Sequence, residues 1–132
     1  MKTLIVEDDF TSRLLMQELL KNYGLPHIAI NGHEAVEAVR VALEAGQPYD
    51  LICLDIMMPG MDGLQALREI RALEDAKGIF STEGAKILMT TALTDMQKKI
   101  EAFAGLCDGY LSKPIHKARL LEELRKFNLI PS

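Results

Sequence analysis

Short β-rich runs alternate with longer stretches of helical period along the chain, five times over. The runs are Lys2 to Val6, His27 to Ile30, Asp50 to Leu54, Ala85 to Thr90 and Gly109 to Ser112. Within them LIV, LICL and ILM lack the every-second-residue alternation of a half-exposed strand, and strands covered on both faces by helices read this way. The intervening segments repeat apolar residues at helical spacing. Phe10 to Tyr23 puts Phe10, Leu14, Leu15 and Leu19 on one face, which is expected to pack. Gly32 to Ala45 carries Val36, Val39 and Leu43. Leu64 to Leu73, Asp95 to Ala104 and Ile115 to Phe127 complete the set, the last with Leu120, Leu121, Leu124 and Phe127 as its core side. Gly24, Gly46 with Pro48, the Pro59-Gly60 and Gly63 loop, and Gly105 supply the stops. Glu74 to Gly84 reads as a polar, mobile connection, either a tolerated surface insertion or a partner contact.

The alternation predicts an α/β fold of (βα)5 type. Right-handed crossovers then favour a doubly wound parallel sheet with helices on both faces. Ligands of such sheets bind at the carboxyl ends of the strands. At those ends stand Glu7, Asp8 and Asp9, then Asn31-Gly32, then Asp55, then Thr91 and Ala92, then Lys113 and Pro114. If the strand order is 2-1-3-4-5, Glu7, Asp8 and Asp55 converge. Three carboxylates that close repel one another and call for a counter-charge. A hard divalent cation such as Mg²⁺ suits them, and Lys113 adds a second positive charge. A metal and an ammonium beside a carboxylate suit phosphoryl transfer, with the aspartate attacking phosphorus in line. Thr91 and the backbone N–H groups after Asp55 and at Ala92 are further donors to a phosphoryl group. Each residue also has a plainer use. Asp9 reads as the N-cap of the helix at Phe10, Asp55 as a turn former, Thr91 as a strand-end hydroxyl and Lys113 as a solvated lysine. Their joint placement on one edge is what the plain readings leave unexplained.

Composition narrows the field. The chain has 132 residues, which suits one domain, and 48% of them are apolar, enough to bury a core. A net charge of −4 without a basic stretch speaks against direct nucleic-acid binding. No apolar run approaches the ~20 residues of a membrane span, and carboxylates interrupt the N-terminus too early for a signal peptide. A cytoplasmic protein is expected. Cys53 reads as a small buried hydrophobe, and a disulfide to Cys107 has little support. His27, His33 and His116 lie apart in the predicted fold, so zinc is not expected. No phosphate-cradling glycine motif is present.

The ordered pieces LIVEDD, LICLDIMMPGMDG, ILMTTA and GYLSKP resemble response-regulator receiver domains from end to end. The resemblance implies a flavodoxin-like five-stranded parallel sheet in order 2-1-3-4-5, with residues 1–128 as the receiver domain and 129–132 as a short tail. It implies that Asp55 is the phosphoacceptor. Asp8 and Asp55 would hold Mg²⁺ directly, with Mn²⁺ able to substitute, Glu7 acting mostly through water and the Met57 backbone carbonyl completing the site. Thr91 would be the switch hydroxyl, the Ala92 N–H a phosphoryl donor, Lys113 the phosphoryl contact and Tyr110 the aromatic switch. The Lys113–Pro114 bond would be cis, the minority form for X–Pro. The implied function is a phosphorylation-dependent switch of a two-component system, not an enzyme beyond Mg²⁺-dependent self-phosphorylation and slow self-dephosphorylation. The implied partners are a histidine kinase or histidine phosphotransfer protein, and a downstream protein on the face of the fourth helix, fifth strand and fifth helix. The chain would be a monomer or a weak phosphorylation-dependent dimer, without direct nucleic-acid or membrane binding. Glu7 stands where many members carry Asp, and both occur.

Two other readings stay open. A phosphohydrolase using an aspartyl phosphate would need an acid two residues after the nucleophile, where this chain has Met57. A degenerate receiver that binds partners without phosphorylation would not require Glu7, Asp8, Asp55, Thr91 and Lys113 together. Met57, Met58 and Met61 read as packing, with Met58 under the loop and Met57 shielding the phosphoryl group, or else as a partner surface. Either the protein acts by binding another, or the sequence is a piece of a longer chain.

Overall fold

The computed structural model describes residues 1–80, 83–92 and 105–131. Five parallel strands, β1 (Thr3–Val6), β2 (His27–Ala29), β3 (Leu51–Asp55), β4 (Lys86–Thr91) and β5 (Gly109–Ser112), pair in the order β2-β1-β3-β4-β5. Four described helices accompany them: α1 (Phe10–Leu20), α2 (Gly32–Glu44), α3 (Gly63–Ala76) and α4 (Lys117–Lys126). The predicted helix at Asp95 to Ala104 lies outside the described residues.

Successive strand side chains point to opposite faces, and the unbroken apolar runs fill both. On one face Leu4, Val6, Ile52, Leu54, Ile87 and Met89 pack with the α2 and α3 residues Val39, Leu67 and Ile70. On the other, Ile5, Cys53, Leu88 and Leu111 pack with Met16 and Leu20 of α1 and Leu120 and Leu124 of α4. Both cysteines are free thiols, with burial pushing Cys53 up to about 12.

The structure turns α1 differently from the predicted face. Phe10, Leu14 and Leu15 are exposed at 67%, 48% and 39%, while Leu19 of the predicted face packs partly against the second core and Met16 and Leu20 are buried. The helix carries two apolar stripes, and the Asp9 side chain, accepting from the Ser12 N–H at 2.8 Å, fixes its start. Contact with Ile5, Leu111 and Ile115 then selects the Met16–Leu20 stripe. Met16→Ala is accordingly expected to cost about 2–4 kcal/mol, and Leu14→Ala less than about 1 kcal/mol. Equal losses in urea unfolding would show the helix rotation to be wrong.

The connection Glu74 to Gly84 also departs from expectation. α3 runs on to Ala76, and Glu74 is buried, ion-paired to Arg71 at 2.7 Å and accepting the Ala85 N–H at 2.8 Å. Ionic anchoring replaces the expected mobility at its first residues. At the other end of the chain, Leu129 and Ile130 of the predicted tail pack partly against the second core, and the Leu129 N–H donates to Leu124.

Candidate functional site

The site is built where β1, β3, β4 and β5 end. The Glu7 N–H donates to the Ala29 carbonyl at 3.0 Å, extending the β1–β2 ladder by one residue. This keeps Glu7 buried, whereas Asp8 turns out to solvent and Asp9 caps α1. Asp55 is the last residue of β3 rather than the first of the loop, opposite Thr90, and is buried. After it, the Ile56 N–H donates to Thr90 and the Gly63 N–H returns to Ile56, each at 3.0 Å. A Cβ at Gly63 would overlap the Asp55 carbonyl, so only glycine lets α3 start this close. Thr91 ends β4, buried, and its carbonyl accepts the Lys113 N–H at 2.6 Å. Ala92 follows it, exposed, and the Lys113–Pro114 bond is cis. Tyr110 sits on β5 in register with Met89, partly open to solvent. Met58 and Met61 are in the core, while Met57 is half exposed on the rim.

One oxygen each of Glu7, Asp8 and Asp55 lies within 4.8 Å of the others. Lys113 Nζ reaches in between, 2.5 Å from Glu7 Oε1 and 3.4 Å from Asp55 Oδ1. The Met57 N–H is a long 3.4 Å from Asp55 Oδ1. Burial, then the hydrogen bond and charge of Glu7, push Asp55 up to about 7 against the pull of Lys113. For Lys113, burial acts downward, but Glu7 and Asp55 outweigh it and the net shift is upward. Sequence reasoning placed Lys113 beside the phosphoryl position and missed its tighter partner, Glu7. It also missed Arg13, whose Nη1 donates to the Glu7 carbonyl at 3.2 Å.

A raised carboxyl destabilises the fold only when ionised. Below the ordinary value of 3.8 both folded and unfolded states hold the proton, and above about 7 neither does. Metal-free stability is therefore expected to fall as pH rises through that window, by the share that Asp55 contributes. Urea midpoints at pH 4 to 8 in EDTA check this, and a contribution rising with pH would contradict it.

The donor set fits a hard divalent cation: three carboxylates with one solvent-facing member, and neither imidazole nor thiolate. Among the described residues, these are the His, Cys, Asp or Glu side chains that converge on one point. His116 stands apart, but His27 and His33 border the same groove between β2 and α2, closer company than the sequence suggests.

The family model described as "Response regulator receiver domain" matches residues 3–125. The chain belongs to this family. Receiver domains are the phosphorylation-dependent switches of two-component signalling, not classical enzymes. The chain is 36% identical over 124 residues to the transcriptional regulatory protein ZraR of Salmonella typhimurium, covering 93% of this chain and 25% of that protein. It spans 3% of the length of hybrid signal transduction histidine kinase G of Dictyostelium discoideum and 48% of that of the cell cycle transcriptional regulator CtrA of Caulobacter vibrioides. Its fold is similar to chemotaxis protein CheY4 of Vibrio cholerae, with a TM-score of 0.74, 30% identity and coverage of 96% and 97% of the two chains. It is equally similar, at TM-score 0.74, 28% identity and the same 96% and 97% coverage, to the receiver domain of sensor histidine kinase PA1611 from Pseudomonas aeruginosa. That domain carries a magnesium ion coordinated in its active-site cleft. Among the described residues of this receiver, no helix is long and apolar enough to cross a membrane.

Proposed function

We propose that this receiver accepts a phosphoryl group on Asp55 from a phosphohistidine of a histidine kinase or phosphotransfer protein. The observation that carries the reading is Lys113 reaching both Glu7 and Asp55 while Asp8 completes the acidic trio. A carboxylate oxygen of Asp55 attacks phosphorus. The P–N bond breaks, and its electron pair returns to the donor imidazole. Lys113 holds one phosphoryl oxygen, and the Thr91 hydroxyl and Ala92 N–H take others. Asp8 and Asp55 would hold Mg²⁺, or Mn²⁺ in its place, with the Met57 carbonyl, and Glu7 would reach it through water. The ion supplies positive charge that cancels the carboxylate repulsion and stabilises the phosphoryl oxygens.

Once phosphorylated, Thr91 moves toward the new group and Tyr110 swings inward. That shift biases two pre-existing states of the face made by the predicted fourth helix, β5 and α4, and a downstream protein reads it. The reading places the protein in the cytoplasm, as a monomer or a phosphorylation-dependent dimer that makes no direct nucleic-acid contact. A phosphohydrolase fits less well, because the exposed apolar Met57 stands where a leaving-group acid is needed.

The test is intact mass after incubation with Mg²⁺ and a small phosphodonor, with an EDTA control. One added phosphoryl group, absent in EDTA, supports self-phosphorylation. No gain under conditions that label another receiver would favour a degenerate binding module.

Met57 is expected to set the phosphoryl lifetime by screening the hydrolytic water. Met57→Asn, which brings a polar group to the rim, should shorten the half-life several-fold in a mass-resolved chase. A half-life equal to wild type would rule the screening role out.

A further inference from the structure

Arg13 is unusual among the cations near the site because it is not spent on a carboxylate. Among the described residues it forms no ion pair within 4.0 Å, although Glu7, Asp8 and Asp9 are all close in sequence. Its Nη1 donates instead to the backbone carbonyl of Glu7 at 3.2 Å, and its guanidinium lies 5.5 Å from the centre of the Phe10 ring. That carbonyl belongs to the peptide joining buried Glu7 to exposed Asp8, the point where the chain leaves the sheet. Apart from the first helical bond, Arg13 N–H to the Asp9 carbonyl at 2.9 Å, the loop is tied by two bonds beyond that point, Asp9 N–H to the Glu7 carboxylate at 3.2 Å and Ser12 N–H to the Asp9 carboxylate at 2.8 Å. Both use acidic side chains of the loop itself, so neither restrains the Glu7–Asp8 peptide directly.

We propose that Arg13 is a positioning residue for the divalent-cation site: by holding the Glu7 carbonyl from one turn into α1, it fixes the direction in which Asp8 faces Asp55. The inference rests on the metal-binding reading given above. Planarity and several donors let arginine bond a carbonyl while stacking on an aromatic face. The arrangement leaves the guanidinium outside ion-pair distance of Glu7, Asp8 and Asp55, which stay open to a metal. Groups that orient metal ligands without touching the ion commonly change affinity by an order of magnitude.

The sign of the effect separates this role from simple electrostatics. Removing a positive charge near a cation site would tighten Mg²⁺ binding, most at low salt. Removing a positioning contact weakens it at any salt. Mg²⁺ titration of wild type, Arg13→Ala and Arg13→Lys by calorimetry, at low and at 0.5 M-scale salt, reads this directly. The expected result is a roughly tenfold weaker affinity for Arg13→Ala at both salts, with partial recovery in Arg13→Lys and an unchanged urea midpoint. Unchanged or tighter binding in Arg13→Ala would overturn the proposal. Amide exchange of metal-free protein supplies the second arm. The Asp8 and Asp9 amides should exchange several-fold faster in Arg13→Ala, and unchanged rates would overturn the proposal independently. Wild-type protein that fails to bind Mg²⁺ would instead sink the metal-site reading, leaving the exchange arm to decide on Arg13.

Discussion

Asp55→Asn is expected to take up no phosphoryl group under conditions in which the wild type takes one. The carboxamide has no anionic oxygen to attack phosphorus, so the loss should exceed about a thousandfold rather than shift an affinity. The same change should make the metal-free protein more stable. Asp55 is buried, next to Glu7, and its carboxyl is pushed up to about 7 because its ionised form is unfavourable there. An uncharged asparagine escapes that cost, which is full above about 7 and vanishes below the ordinary value of 3.8, where the unfolded chain holds the proton as well. Mg²⁺ should reverse the order, stabilising the wild type through binding to the folded state and the variant much less. Intact mass and urea midpoints, each with and without Mg²⁺, test both halves. Labelling of Asp55→Asn at wild-type extent would place the acceptor elsewhere.

Arg71→Ala should be the most damaging single change away from the site. Arg71 is buried, and it donates from Nη1 to Glu74 at 2.7 Å and the Ala85 carbonyl at 2.8 Å, from Nε to the Leu106 carbonyl at 2.7 Å, and from Nη2 to Asp108 at 3.0 Å. Asp108 in turn accepts the Ile87 N–H at 2.8 Å. Truncation leaves the buried Glu74 carboxylate without its cation and two carbonyls without their donor. Such breakage costs about 3–5 kcal/mol, a large part of a domain's total stability. The network joins α3 to the beginnings of β4 and β5, at the opposite end of the sheet from Asp55. Asp55 labelling of whatever protein remains folded should therefore persist. A fall in the urea midpoint with unchanged slope is the expected signature. A loss under about 1 kcal/mol would mean the ion pairs nearly cancel their own desolvation.

Much of this receiver was readable from local pattern. Strands covered on both sides must be apolar throughout, so LIV, LICL and ILM mark them without help from neighbours. The residues following those runs mark the functional edge, because strand ends and helix caps are local features. Asp9 capping α1 is of this kind: its partner Ser12 is three residues away. What the sequence could not decide depended on partners far along the chain. Lys113 meets Glu7 across 106 residues, and Arg71 meets Asp108 across 37. Nothing near Arg71 or Glu74 distinguishes a buried network from a solvated helix end, which is why local pattern alone places Glu74 in a mobile connection. The rotation of α1 belongs to the same class. Two apolar stripes satisfy the helical period equally well, and only the sheet and α4, supplying Ile5 and Leu120, choose Met16 and Leu20 over Phe10 and Leu14. The sequence by itself determined the alternation of elements and the chemistry offered at one sheet edge. The tertiary structure decided which charges share that edge's interior and which faces are dry, because burial and ion pairing depend on what is packed opposite.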